Sequence, residues 1–182
     1  VTPVWFRSHL FFNRFFLLTG LLVSLLLSCV VCPDSSAAAE IRIGGQSVTA
    51  GQGVQVPIVV DGADDLAGVK IVLQYDPGQL AYRGTSRTDA ASHMMHVVND
   101  KQPGTLIIVM AGATGLQAKN LPLFTLAFQV DASLVKGAEI VLRVTESQLM
   151  SAQLKDIEHA VVTKPLTVMG SATGPVSKKL KS

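Results

Sequence analysis

From Glu40 to its end the chain has no cysteine and no tryptophan; Cys29, Cys32 and Trp5 all lie earlier. That stretch therefore has no disulfide framework and no thiol chemistry, whatever its redox compartment. Aromatic residues are also scarce there, limited to Tyr75, Tyr82, Phe124 and Phe128. A core must come from aliphatic burial, which the many Val, Ile and Leu residues supply at about 25 cal/mol per Å². Charge of one sign is lacking too. The formal net charge is +2, and the positive residues are scattered apart from a terminal Lys178, Lys179, Lys181 tip. A nucleic-acid binder needs a basic stripe on its folded part, and none is visible. A convincing amphipathic helix is missing as well; Ser147 to Ile157 is the best candidate and a weak one. At 182 residues there is room for one domain of ordinary size with a leader or a tail.

What the chain does have begins with a leader over residues 1–39. Arg7 and Arg14 precede a charge-free run from Phe15 to Cys32, and Pro33-Asp34 and a small-residue stretch ending Ala37-Ala38-Ala39 follow. A positive end, an apolar middle and an A-x-A site make a secretory signal pattern, with cleavage expected before Glu40. Two anchored forms stay open. Leu26-Leu27-Ser28-Cys29 resembles a lipobox that would lipidate Cys29, and the run is about long enough to span a bilayer uncleaved. All three send the domain out of the cytoplasm. The chain opens on Val1, as a non-standard start codon read literally or a fragment would.

Residues 40–169 carry period-two alternation punctuated by Gly and Pro turns. Expected strands are Ile41–Ile43, Val54–Val60, Ala67–Tyr75, a short one at Leu80–Tyr82, Thr105–Ala111, Leu121–Val130, Ile140–Val144 and Val161–Val168. Pro57 marks its strand as an edge or a bulge, because it cannot donate to a ladder. Arg83 to Asp89 reads as a loop. On Ala67–Tyr75, Val69, Ile71, Leu73 and Tyr75 share one face, and Lys70, Val72 and Gln74 share the other. About eight strands at this spacing predict an all-β fold, an antiparallel sandwich of two sheets. Residues 170–182 are expected to be a flexible basic tail.

Chemistry is sparse. His93-Met-Met-His96 has a metal-like spacing only on a helix; on a strand the rings point to opposite faces. Asp89, Asp100 and His159 are the groups that could approach them. Asp61, Asp64 and Asp65 could hold calcium or form a solvated acidic turn. Asp156 and Glu158 lie two apart with no hint of a cleft between paired carboxylates. Ser147, Ser151 and His159 could be written as nucleophile and base, yet no G-x-S-x-G elbow exists. Gly112 to Gly115 is too short for a phosphate loop. Neither catalysis nor a cofactor or metal is expected.

Leu66 to Pro77, followed by Leu80, contains a Gly-hydrophobic strand ending in Tyr75-Asp76-Pro77. Ile43-Gly44, Gly51 to Pro57, Gly104-Thr105-Leu106 and Leu123 to Val130 accompany it in order. Together they resemble a cohesin module over nearly all of residues 40–169. The resemblance implies a nine-stranded jelly roll whose flat sheet face receives a dockerin, a small module built on duplicated calcium loops. It places Lys70, Val72 and Gln74 on the partner-binding face. Well-known cohesins carry acidic or amide groups near Lys70 and Gly68, so the recognition pattern departs from theirs. Tyr75-Asp76-Pro77 also has a purely structural reading, with Pro fixing φ and Asp satisfying turn amides. Two other roles suit the same sandwich. A carbohydrate-binding module would need exposed aromatic rings, and Tyr82 is the one ring expected outside the core. A surface or pilus-like assembly domain would pair through a sheet edge.

Overall fold

The computed structural model describes residues 38–171. Most of the expected leader, with Cys29, and most of the basic tail lie outside the described residues. Alternating Val, Ile, Leu and Phe generate twelve strands among those described. They are β1 (Ala39–Gly44), β2 (Ser47–Ala50), β3 (Gly53–Asp61), β4 (Ala63–Gln74), β5 (Leu80–Arg87), β6 (Met95–Asn99), β7 (Thr105–Ala118), β8 (Leu121–Val130), β9 (Glu139–Ile140), β10 (Arg143–Ser151), β11 (His159–Lys164) and β12 (Leu166–Ser171). A 3₁₀ turn covers Asp89–Ala91.

A five-stranded sheet has the order β11-β1-β3-β8-β5, a four-stranded sheet the order β10-β4-β7-β6, and a small three-stranded sheet the order β2-β12-β9. Ile41, Ile58, Val60, Phe124, Leu126 and Phe128 from the first share one core with Val69, Ile71, Leu73, Leu106, Ile108, Met110 and Leu149 from the second. The all-β jelly-roll sandwich expected from the sequence is the fold observed, and all the described residues lie in one compact unit. Its pairing is not wholly antiparallel. β1 runs parallel to β11 and β2 parallel to β12, so that the first two described strands meet the last two.

Several local expectations are corrected. Arg83–Arg87 is not loop but the continuation of β5, which pairs with β8 from Leu80↔Val130 to Arg87↔Phe124. Polar residues suit this position, since an edge strand is paired on one side only. Arg87 donates to the carbonyls of Ser92 and Met94. Ser147–Ile157 is not helical: β10 runs to Ser151, and a turn brings Asp156 back to bridge Met150. Val161–Val168 is two strands split at Pro165 and shared between two sheets. Pro57 sits in an interior strand, not at an edge. The other expectation, a bulge, holds: the ladder with β8 shifts register directly after Ile58, and pairing with β1 stops at Ile43↔Ile58.

The Asp61–Asp65 segment is the tight connection from β3 to β4, and its carboxylates diverge. Asp61 accepts from the Asn120 N–H at 2.7 Å and pairs with Arg42. Asp65, at φ +61°, accepts from Ala152 N–H. Gly115 lies within β7, where the ladder to β4 skips from Leu66↔Leu116 to Gly68↔Ala111. A Cβ there would fall 2.6 Å from the Asp65 carbonyl carbon. Gly115→Ala is therefore expected to cost about 2–3 kcal/mol, because backbone must move to admit the methyl. Urea unfolding of the two proteins measures this, and equal midpoints would contradict it.

Tyr75-Asp76-Pro77 acts as a structural stop. The Tyr75 N–H donates to Gly104 O at 2.9 Å, and Asp76 Oδ1 accepts from the Gly78 N–H at 2.8 Å. Gly104 has φ +83°, and a Cβ there would crowd the Tyr75 carbonyl. Two turns distant in sequence are thereby locked together at the ends of β4 and β7.

Candidate functional site

Alternation on β4 turns Val69, Ile71 and Leu73 into the core and leaves Lys70 and Val72 half-buried and Gln74 exposed on the outer side of the four-stranded sheet. Register assembles the rest of that outer face in rows. Met150, Gly68, Ala111 and Met95 form one; Gln148, Lys70, Val109 and Val97 the next; Glu146, Val72, Ile107 and Asn99 a third; Arg143, Gln74 and Thr105 close it. The three residues expected on a binding face all lie on β4, one of the two middle strands of this surface.

That surface is divided. On the β6–β7 side it is apolar and solvent-exposed, with Met95 75% accessible, Val97 64% and Val109 42%. On the β10 side it is polar, and the Lys70 ammonium is held by Glu146. The pair neutralises the face's central charges. Being well exposed, it holds little free energy, so Lys70→Ala is expected to move unfolding by no more than about 0.5 kcal/mol, read by thermal melting. A larger loss would mean that the pair supports the β4–β10 ladder.

Sequence reading alone does not single out Met95, Val97 or Val109. Met95 and Val97 stand two apart in Met95-His96-Val97-Val98-Asn99, where His93 and His96 suggest metal spacing first, and only register with β7 joins them to Val109 in one face. His93 precedes β6 in an exposed turn, and His96 lies on the strand beside Tyr82, Arg83 and Asp100 around a cleft of about 300 Å³. His159 is elsewhere, on β11. Among the described residues no three His, Cys, Asp or Glu side chains converge.

Ser147 and His159 do meet. Ser147 Oγ lies 2.8 Å from His159 Nε2, and His159 Nδ1 lies 2.9 Å from the Ile157 carbonyl. They sit at an open groove of about 710 Å³ bordered by β10 and β11, with Asp156 and Glu158 also on its wall. The contact joins an edge strand of one sheet to an edge strand of the other. Asp156 is engaged by the Gln148 amide at 2.8 Å, and the third partner in line is a main-chain carbonyl, so a Ser–His–carboxylate relay is not assembled.

Tyr82 is not the exposed ring that sequence suggests. It packs edge-on against Phe128 with centroids 5.8 Å apart, as Tyr75 does from 5.2 Å. Its hydroxyl bonds Thr85 Oγ1 at 2.6 Å, and burial raises the phenol's pKa against that bond's opposing pull. Among the described residues the Phe rings are buried and both Tyr rings are partly buried against Phe128.

The sequence model of the cohesin domain matches residues 39–168. No curated protein sequence matches the chain. Among solved structures, the sixth cohesin of scaffoldin B from Acetivibrio cellulolyticus, in complex with a mutant Cel5 dockerin, has a TM-score of 0.65 at 15% identity over 72% of this chain and 99% of that one. A non-cellulosomal cohesin from the archaeon Archaeoglobus fulgidus has a TM-score of 0.64 at 16% identity over 74% and 93%. CaCohA2 from Clostridium acetobutylicum has a TM-score of 0.64 at 20% identity over 74% and 93%. In all three the matched sandwich accounts for 93% or more of the solved chain.

Proposed function

Because this chain belongs to the cohesin family, we propose that it is a non-catalytic binding module whose β10-β4-β7-β6 face receives a dockerin-bearing protein. The observation that carries this reading is the outer face itself. It joins exposed Met95, Val97 and Val109 to Val72 and Ile107 in one patch, ringed by Gln74, Gln148, Asn99 and Arg143. An apolar centre with a polar rim is the anatomy of a protein interface. Lys70 and Val72 contact the partner from the middle of the face and Gln74 from its rim, with the apolar residues of β6 and β7 as the energetic centre. The weak central charge makes affinity nearly independent of salt.

We further propose that the module is exported, with residues 1–39 as signal or anchor. Ala39, just before the expected cleavage point, is already the first residue of β1, 2% accessible and paired with His159. A signal cut there removes one residue of the sheet, whereas lipidation at Cys29 or an uncleaved span keeps it.

The test is a pull-down from the source organism's lysate with residues 37–182 as bait, with and without EDTA. A dockerin depends on its calcium loops, so the expected prey carries duplicated calcium-loop repeats and is lost on chelation. An empty pull-down, or a prey indifferent to EDTA, would overturn the reading.

A further inference from the structure

Six strands border the three sheets among the described residues, and five of them guard their free edge in ways expected of edge strands. β2 and β9 are four and two residues long. β5 breaks register between Tyr82 and Gly84 and carries Arg83 and Arg87. β10 is covered at its end by the turn that bridges Met150 to Asp156, and β11 is tied to β10 through Ser147 and His159 and carries Lys164. β6 has none of these devices. It pairs with β7 in unbroken register from Met95↔Ala111 to Asn99↔Ile107. No Asp, Glu, Lys, Arg or Pro occurs from Ala90 to Asn99. Its outward side chains, Met95 and Val97, are among the most exposed large apolar residues described.

We propose that β6 is a self-association edge, which pairs antiparallel with β6 of a second copy about a two-fold axis at Val97. The symmetry places Val97 opposite Val97, Met95 opposite Asn99 and His96 opposite Val98. No like charges meet in that register, because the strand has no Lys, Arg, Asp or Glu. Each strand's free backbone donors and acceptors find partners, and the two four-stranded sheets join into one of eight. Met95 and Val97 of both copies lie on the same outer side, so the seam is apolar there. The contact is small. Five paired residues bury well under the ~1,200 Å² at which stable specific interfaces begin, so the dimer forms with a dissociation constant on the order of 100 μM.

Sedimentation equilibrium of residues 37–182 from micromolar to millimolar concentration reads this directly. The expected result is a monomer at low concentration and a dimer at high, with slowed amide exchange confined to residues 95–99 at the high end. Val97→Lys should weaken the association at least tenfold. Val109→Lys, which alters the same face but not the edge, should leave it within twofold. A monomer throughout the range would overturn the proposal. So would a dimer abolished equally by both substitutions with 95–99 exchange unchanged, since that would be association through the face. Protection of 95–99 that appears only with a bound partner would overturn it in favour of strand addition by that partner. Should Val97→Lys fail to fold, the concentration dependence of exchange in the unmodified protein decides alone.

Discussion

Val97→Asp is expected to weaken partner capture by roughly 30-fold or more while melting within a few degrees of the unmodified protein. The size follows from the loss of about 2 kcal/mol at the centre of an interface, where the new carboxylate must be desolvated beside Val109 and Met95. Stability is spared because Val97 is 64% accessible and contributes little to the core. Val72→Asp should act in the same direction. Its register partners are Glu146 and Ile107, so the added carboxylate lies directly across from Glu146, at a small cost to the β4–β10 pair. Lys70→Ala, by contrast, should leave affinity nearly intact because the ammonium is already held by Glu146. Titration of the three variants against the captured prey separates an apolar interface from a charge-driven one. Binding lost with Lys70→Ala and kept with Val97→Asp would sink the apolar account.

Phe128→Ala is expected to destabilise the sandwich by about 3–5 kcal/mol, the largest single-site effect anticipated for the fold. Phe128 is 1% accessible, and both Tyr75 and Tyr82 pack edge-on against it. Truncation removes a large buried ring and two aromatic pairs together, leaving a cavity in a domain with few other aromatics to refill it. Urea denaturation should show a much lower midpoint at an unchanged slope. A loss below about 1 kcal/mol would mean that the neighbouring aliphatics collapse into the space.

The sequence disclosed the fold wherever one face of a strand was strongly apolar. β4 and β8 could be assigned with their faces, since Val69, Ile71 and Leu73 alternate with Lys70, Val72 and Gln74, and Phe124, Leu126 and Phe128 with Thr125, Ala127 and Gln129. It was silent where neighbours, not side chains, decide the conformation. Arg83 to Arg87 has loop composition and forms a strand because β8 offers a free edge and Arg87 finds carbonyl partners. Ser147 to Ser151 is held extended by β4 in spite of weak helical spacing, since pairing with a sheet outweighs propensity. For the candidate site, Lys70, Val72 and Gln74 could be put on an outward face by period two alone. Their apolar neighbours on β6 and β7 could not, because rows across a sheet depend on register, and register is a long-range property.

The parallel seams β1–β11 and β2–β12 also govern when the domain can exist. Ala39 finds its partner only in His159, about 120 residues later, and Ser47 finds its own in Thr167. Closing so long a loop is entropically costly and slow, and little local structure precedes it. A nascent chain that has not yet delivered β11 and β12 leaves one side of β1 and all of β2 without a ladder. The module therefore stays unfinished until nearly its whole length has emerged. A chain threaded through a translocation pore needs that same property, since a domain that locked early would be too wide to pass.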